Sequence, residues 1–331
     1  MRPKSATPRI GGYLLHGWRQ GRWCALAFCA LLFASPLCSQ PANPAVPSDP
    51  LTDADQILGF ADALFNDGDY FRAITEYKRF LFLHPTDARG GRAQLQIGLA
   101  YQRGQQWDDA RQTFEAIARQ HPDADIRAEA AYRIGETAFR QGRYAQAVAD
   151  LRPVAEQYGQ TPVGESARYL LGWSYLRARQ WSEASQTFET IDTASPLFPS
   201  SRALADAARE GQHLPRKSPA LAGLMSAVIP GTGHFYTGRW RDGTVALLLN
   251  GAFLAAGLEA VVAGNEAAAG LLLFFEAAWY SGAVYGAVNA AHKYNLDLEE
   301  RWLQGLERRH SPSSRSLSRM PPTLVLMHIP F

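Results

Sequence analysis

With 331 residues, 47% of them hydrophobic, and a formal net charge of +2, the chain has room for two domains and lacks the basic excess of a nucleic-acid binder. Its three cysteines, Cys24, Cys29 and Cys38, all stand near the start. That excludes a disulfide framework or a cysteine-based metal site from everything after them.

Arg2, Lys4, Arg9, Arg19 and Arg22 precede or flank the start of an uncharged run at 23–37, and a Pro/Ser/Asn-rich exit follows. This order reads as a secretory signal over 1–40, or as an uncleaved N-terminal anchor. Cys38 offers lipid attachment as an alternative, although Leu37 is bulky where bacterial lipoprotein signals resemble one another in having a small residue. Pro41, Pro44, Pro47 and Pro50 make 41–52 a linker that cannot form a helix.

From about 53 onward one pattern recurs at intervals of 37 residues. Ala61, Gly98, Gly135 and Gly172 keep the interval, as do Tyr70, Trp107, Tyr144 and Trp181, then Ala73, Ala110, Ala147 and Ala184, and finally Pro85, Pro122, Gly159 and Pro196. A fixed period of this length marks a repeat array. Small residues let two backbones approach, and Tyr77, Phe114, Leu151 and Phe188 fill the gap between them, so each copy describes a helical hairpin. First helices are expected near 54–67, 90–104, 126–141 and 163–178, and second helices near 70–84, 107–121, 144–158 and 181–193. Gly68 and Gly142 supply the left-handed turn inside two of the hairpins. The half-polar stretch at 200–212 suits a capping helix.

These residues resemble the tetratricopeptide repeat family, in the small-x-x-aromatic start, the later alanine and aromatic, and the closing proline. The likeness covers about 53–196 in four copies, so that four repeats and their cap would fill 53–213. The period is longer than the family's usual value of about 34 residues. The additional residues fall after the proline, where a longer connection is easily accommodated. The lengthened form is similar to repeats of bacterial envelope proteins that assist outer-membrane assembly or cell division.

Beyond Pro215 the composition turns apolar, with uncharged or nearly uncharged runs at 219–236, 243–263 and 267–291. The last two exceed the roughly 20 residues needed to cross a bilayer, and Pro230, Gly231 and Gly233 interrupt the first. Two or three transmembrane helices are therefore expected within 219–291. Three crossings, with exported repeats, would leave Arg239 and Arg241 together with Lys293, Arg301, Arg308 and Arg309 in the cytoplasm, as the positive-inside rule prefers. The rival is two spans with the repeats in the cytoplasm. Leu298, Trp302, Leu303 and Leu306 form an apolar stripe that suits a juxtamembrane amphipathic helix over 292–310, lying on the membrane surface. The tail at 311–331 reads as disordered. Pro230, Gly231, Gly233, His234, Phe235, Tyr236, Gly238 and Arg239 resemble the G-x-H-x-F-Y-x-G-R core of a small bacterial membrane domain of two or three helices.

Tetratricopeptide arrays resemble one another in holding an extended peptide or a helix on a concave face lined by first helices. Carried onto this chain, that face would present Leu95, Tyr132 and Tyr169, then Leu99, Glu136 and Trp173, then Phe65, Gln102, Phe139 and Leu176. A further row is Asn66, Arg103, Arg140 and Arg177, whose arginines either hold a partner's carboxylates or serve as solvated cations at helix C-termini. His84 and His121 share one repeat position before proline, which points to a helix-end role. His234 has no second ligand at metal spacing, so packing is its expected role. Glu259 and Glu276 stand in apolar runs, where a carboxylate is a functional candidate. A protonated Glu276 bonded to Asn250 is the structural alternative. Gly282 and Gly286 allow close helix contact within the module or between copies.

No phosphate loop, zinc signature or nucleophile elbow is present. The expectation is an all-α chain, a tetratricopeptide solenoid followed by a transmembrane helical module, without cofactor, metal or catalytic residues. It would act as a membrane-anchored scaffold of the bacterial envelope at the inner membrane, its repeats periplasmic or else cytoplasmic, with a protein partner and the lipid bilayer as its contacts. The alternative is an accessory part of a transport or assembly complex whose membrane helices are the active element.

Overall fold

The structure, a computed structural model, describes residues 52–311, so the signal-like segment with Cys38 and almost all of the linker and tail lie outside the described residues. Eight helices form four consecutive hairpins: α1 (Ala54–Asn66) with α2 (Tyr70–Leu83), α3 (Gly90–Arg103) with α4 (Trp107–Gln120), α5 (Ala124–Arg140) with α6 (Tyr144–Gln157), and α7 (Pro162–Arg177) with α8 (Trp181–Glu189). α9 (Phe198–Gln212) packs on α8 as the cap. The helices fall within two residues of their sequence-based positions, except that α8 stops at Glu189. Asp53, Asp123 and Thr161 start α1, α5 and α7 by accepting backbone N–H bonds, satisfying donors that the first turn leaves orphaned.

Each hairpin turns through the same device. Asp69, Gln106, Arg143 and Gln180 donate their N–H to Leu64, Tyr101, Ala138 and Tyr175, closing a Schellman motif. The preceding residue must then be left-handed, and it is Gly68 at φ 85°, Gln105 at 59°, Gly142 at 74° and Arg179 at 61°. Two of the four turns thus use a residue that pays for this conformation with steric crowding. Between the helices of each hairpin the small residue meets the large one, and a Cβ added to Gly135 would stand 2.4 Å from Leu151 Cγ.

After the cap the chain runs through α10 (Pro219–Val228), α11 (Thr232–Tyr236), α12 (Trp240–Val262) and α13 (Glu266–His310). The first apolar run is broken where Gly231 takes φ 94°. Ten residues of α10 extend only about 15 Å, half a hydrocarbon core, so α10 by itself is too short for the expected third crossing. Two helices, α12 and α13, are long and apolar enough to cross a membrane.

α12 and α13 pair along a seam of small residues. Gly243, Asn250 and Gly257 are the buried positions of α12, and Ala269, Glu276, Ala283 and Ala290 are among those of α13. Both sets repeat every seven residues, the spacing of a left-handed helix pair. Outside the seam the apolar side chains are exposed: Leu248 is 66% accessible, Val262 88% and Phe274 70%.

α13 overturns a second expectation. The segment 292–310 is not a separate surface helix but the last part of a single 45-residue helix. Its stripe of Trp302, Leu303 and Leu306 packs into the core of the fourth repeat and cap, with Leu303 and Leu306 each 2% exposed. A repeat array needs its final open face covered, and this stripe supplies apolar surface at the right spacing.

A concave groove with one end filled

The first helices α1, α3, α5 and α7 set four equivalent surfaces side by side, and the expected groove residues divide among three environments. Leu95, Tyr132 and Tyr169 are buried, at 9%, 4% and 5% exposure, packed between neighbouring helices rather than presented to a ligand, and Gln102 and Leu176 are buried as well. Phe65, Leu99 and Phe139 are half-buried, while Asn66, Arg103 and Arg140 are exposed. Phe65 and Phe139 each meet the tyrosine that opens the following helix, Tyr70 at 5.6 Å and Tyr144 at 5.5 Å between ring centres.

The three arginines of one row have different surroundings. Arg103 reaches no carboxylate in the ion pairs of the described residues. Arg140 bonds Glu136 on its own helix, Nε and Nη2 donating to Oε1 at 3.0 and 2.8 Å. Glu136 also accepts from Arg133 Nη1 at 2.6 Å. Burial by itself would raise the Glu136 carboxyl, but the Arg133 and Arg140 guanidiniums bring it below the usual carboxylate range.

Arg177 is taken by α13. Its Nη1 lies 3.1 Å from Glu300 Oε2, and its Nε lies 3.0 Å from Glu307 Oε1. The two glutamates stand seven residues apart, on one face of the helix, so one guanidinium bridges two turns of it. Next to it Glu299, 6% exposed, receives Arg179 Nε at 2.5 Å and Arg216 Nη2 at 3.0 Å. Trp302 meets Trp181 edge to face at 5.5 Å, and the Tyr169 hydroxyl donates to the His310 carbonyl at 3.0 Å. Trp173 below is fully buried. Tyr169 and Arg177, expected on an open groove, are therefore engaged by a helix of the same chain, and Trp173 belongs to the core.

Sequence reasoning passed over Arg179, Arg216, Glu299, Glu300 and Glu307. One signal was available: at the left-handed turn position two repeats carry glycine, and Arg179 stands there without it. The acidic partners gave none, because charged residues on a helix face read as solvated.

The remaining expected sites sit elsewhere. His84 Nε2 is 2.8 Å from the Thr52 carbonyl and His121 Nδ1 accepts from Asp123 N at 3.1 Å, both helix-end contacts. In the 230–239 motif Gly233 and His234 are buried, Phe235 stacks at 5.0 Å on Trp240, Tyr236 Oη accepts from Ser218 N, and Arg239 pairs with Asp242. Pro230 is half-buried and Gly238 takes φ 80°. A Cβ on Gly286 would meet the His234 ring at 3.1 Å, while Gly282 has open space beside it. Gly286 thus serves contact within the module. Asn250 and Glu276 share the seam but not a hydrogen bond: Asn250 Nδ2 donates to Ala246 O at 2.6 Å, leaving Asn250 Oδ1 and Glu276 Oε2 without partners. The donor prefers its own helix carbonyl four residues back. Glu259 is exposed near the hairpin turn. Among the described residues no cluster of three or more His, Cys, Asp or Glu is placed to hold a metal ion.

Consecutive helical hairpins stacked in this way define a solenoid of the protein-interaction type. Residues 58–125, 95–152 and 132–197 match the tetratricopeptide repeat family, and this stretch of the chain consists of such repeats. No curated protein matches the chain.

Proposed function

We propose that the chain is a membrane-anchored adaptor, in which the α12–α13 hairpin holds the solenoid at a bilayer and the open part of the concave face binds a protein partner. The observation that carries the anchor is exposure: the 18-residue apolar windows of α12 and α13 are only 11% and 17% buried, unlike core helices of a water-soluble domain. The open stretch of the face runs over the first three repeats, with Phe65, Leu99 and Phe139 as apolar contacts and Arg103 and Arg140 as cations beside them.

Because 299–310 docks on the fourth repeat, repeats and the basic end of α13 share one side of any membrane the hairpin crosses. Exported repeats with cytoplasmic Arg301, Arg308 and Arg309 do not accommodate that docking. The basic residues at both ends of the hairpin favour the solenoid on the cytoplasmic face of a bacterial inner membrane. The signal-like order of 1–40 favours the periplasmic face, and it is the reason to keep that second reading.

A photo-crosslinking residue at Phe139, with Gln146 on the outer helix as control, tests the adaptor in cells. A single protein captured at Phe139, absent at Gln146 and lost on Arg103→Glu, is the expected result. Equal capture at both positions would remove the groove from the account.

A further inference from the structure

The fourth repeat holds an occupant already, and its chemistry specifies a partner. We infer that the surface made by α7, α8 and the cap is a second docking site, for an acidic amphipathic helix, and that 299–310 is a resident occupant which such a helix displaces. The inference rests on the adaptor reading but concerns a different part of the solenoid from the open stretch.

The recognised pattern can be read directly from the resident. Glu299, Leu303 and Leu306 face the core, and Glu300 and Glu307 flank them to reach one guanidinium. Any helix with two carboxylates seven apart, a third carboxylate just before the first of them, and a leucine pair and an aromatic between presents the same groups to Arg177, Arg179 and Trp181.

Two features make the resident replaceable. Most of its ion pairs are partly exposed, with side-chain accessibilities of 46% for Glu300, 47% for Arg179 and 43% for Arg216, so water and salt weaken them. Its fit is incomplete: His310 Nδ1 of the resident is buried with no hydrogen-bond partner among the described residues, a cost that a helix with an apolar residue at that place would not carry.

The test uses the full chain in detergent and a fluorescent peptide of residues 297–310, followed by anisotropy. The protein carries Glu299→Gln, Glu300→Gln and Glu307→Gln together, isosteric changes whose helicity and melting are checked against the unsubstituted chain. We expect the peptide to bind this variant at least about tenfold more tightly than the unsubstituted chain, a difference of about 1.4 kcal/mol. Adding Arg177→Glu should abolish that binding, as should replacing the peptide's glutamates by glutamine. Equal affinity for the two proteins, absence of binding to the folded variant, or binding indifferent to Arg177→Glu would each overturn the inference. None of these outcomes depends on whether the Phe139 crosslink finds a partner, so the two proposals fail separately.

Discussion

Arg179 concentrates the local physics of this molecule. Its backbone closes a turn that its sister repeats at Gly68 and Gly142 close with glycine, and its side chain reaches Glu299 on a helix 120 positions later. Arg179→Gly should relieve about 1 kcal/mol of left-handed strain while removing a charge-assisted hydrogen bond of about 1–3 kcal/mol. The expected outcome separates two readouts. Urea unfolding of the repeats should shift by no more than about 1 kcal/mol, whereas amide exchange in 299–310 should accelerate severalfold. An unchanged exchange rate would mean that the Arg179 pair does nothing to hold the helix. The arginine row also shows how far a residue's role depends on neighbours: three arginines at one repeat position meet solvent, their own helix, and a distant helix.

At the scale of elements, α5 and the end of α13 both rely on carboxylates held by arginine. The carboxyls of Glu136 and Glu300 each lie below their ordinary range. Burial opposes this in both, and it is outweighed by Arg133 and Arg140 at the first and by hydrogen bonds from Gln304 and Arg177 at the second. A group whose folded value is depressed adds stability above its unfolded value and loses it as pH falls. Thermal stability should therefore decline below about pH 5, and the docking of 299–310 should begin to weaken sooner, below about pH 6.5, because burial also lowers the His310 imidazole and the same rule applies to it. Arg177→Gln should flatten the part of that decline read by exchange in 299–310; if the decline keeps its full size, Glu300 is not its source. The hairpins themselves were legible in the sequence, since the 37-residue spacing of small and large residues encodes packing between neighbours in the chain. The seam of α12 and α13 was not, because glycine and alanine at heptad spacing look like filler until a partner helix lies against them.

For the whole molecule the consequence of α13 is geometric. A helix of 45 residues is about 68 Å long, enough to leave a bilayer and still reach the cap of the solenoid. On the proposed membrane-anchored reading, repeats and the end of α13 lie on one side and the Gly264 turn on the other. With the native cysteines replaced by serine, single cysteines at Gln146 and Gln304 should react with an impermeant maleimide from the same side, and one at Asn265 from the opposite side. Labelling of Gln146 and Asn265 together from one side would exclude a spanning hairpin.

Local pattern determined the helical repeats, the cap, and the apolar character of the C-terminal helices, since each depends on residues a few positions or one period apart. The filled end of the groove was decided by tertiary structure alone. It joins Arg177 and Arg179 to Glu299, Glu300 and Glu307 across about 120 residues of chain that carry no matching signal. Complementary charge fixes no register at that separation. The rigid length and direction of α13 decide which carboxylates meet which arginines.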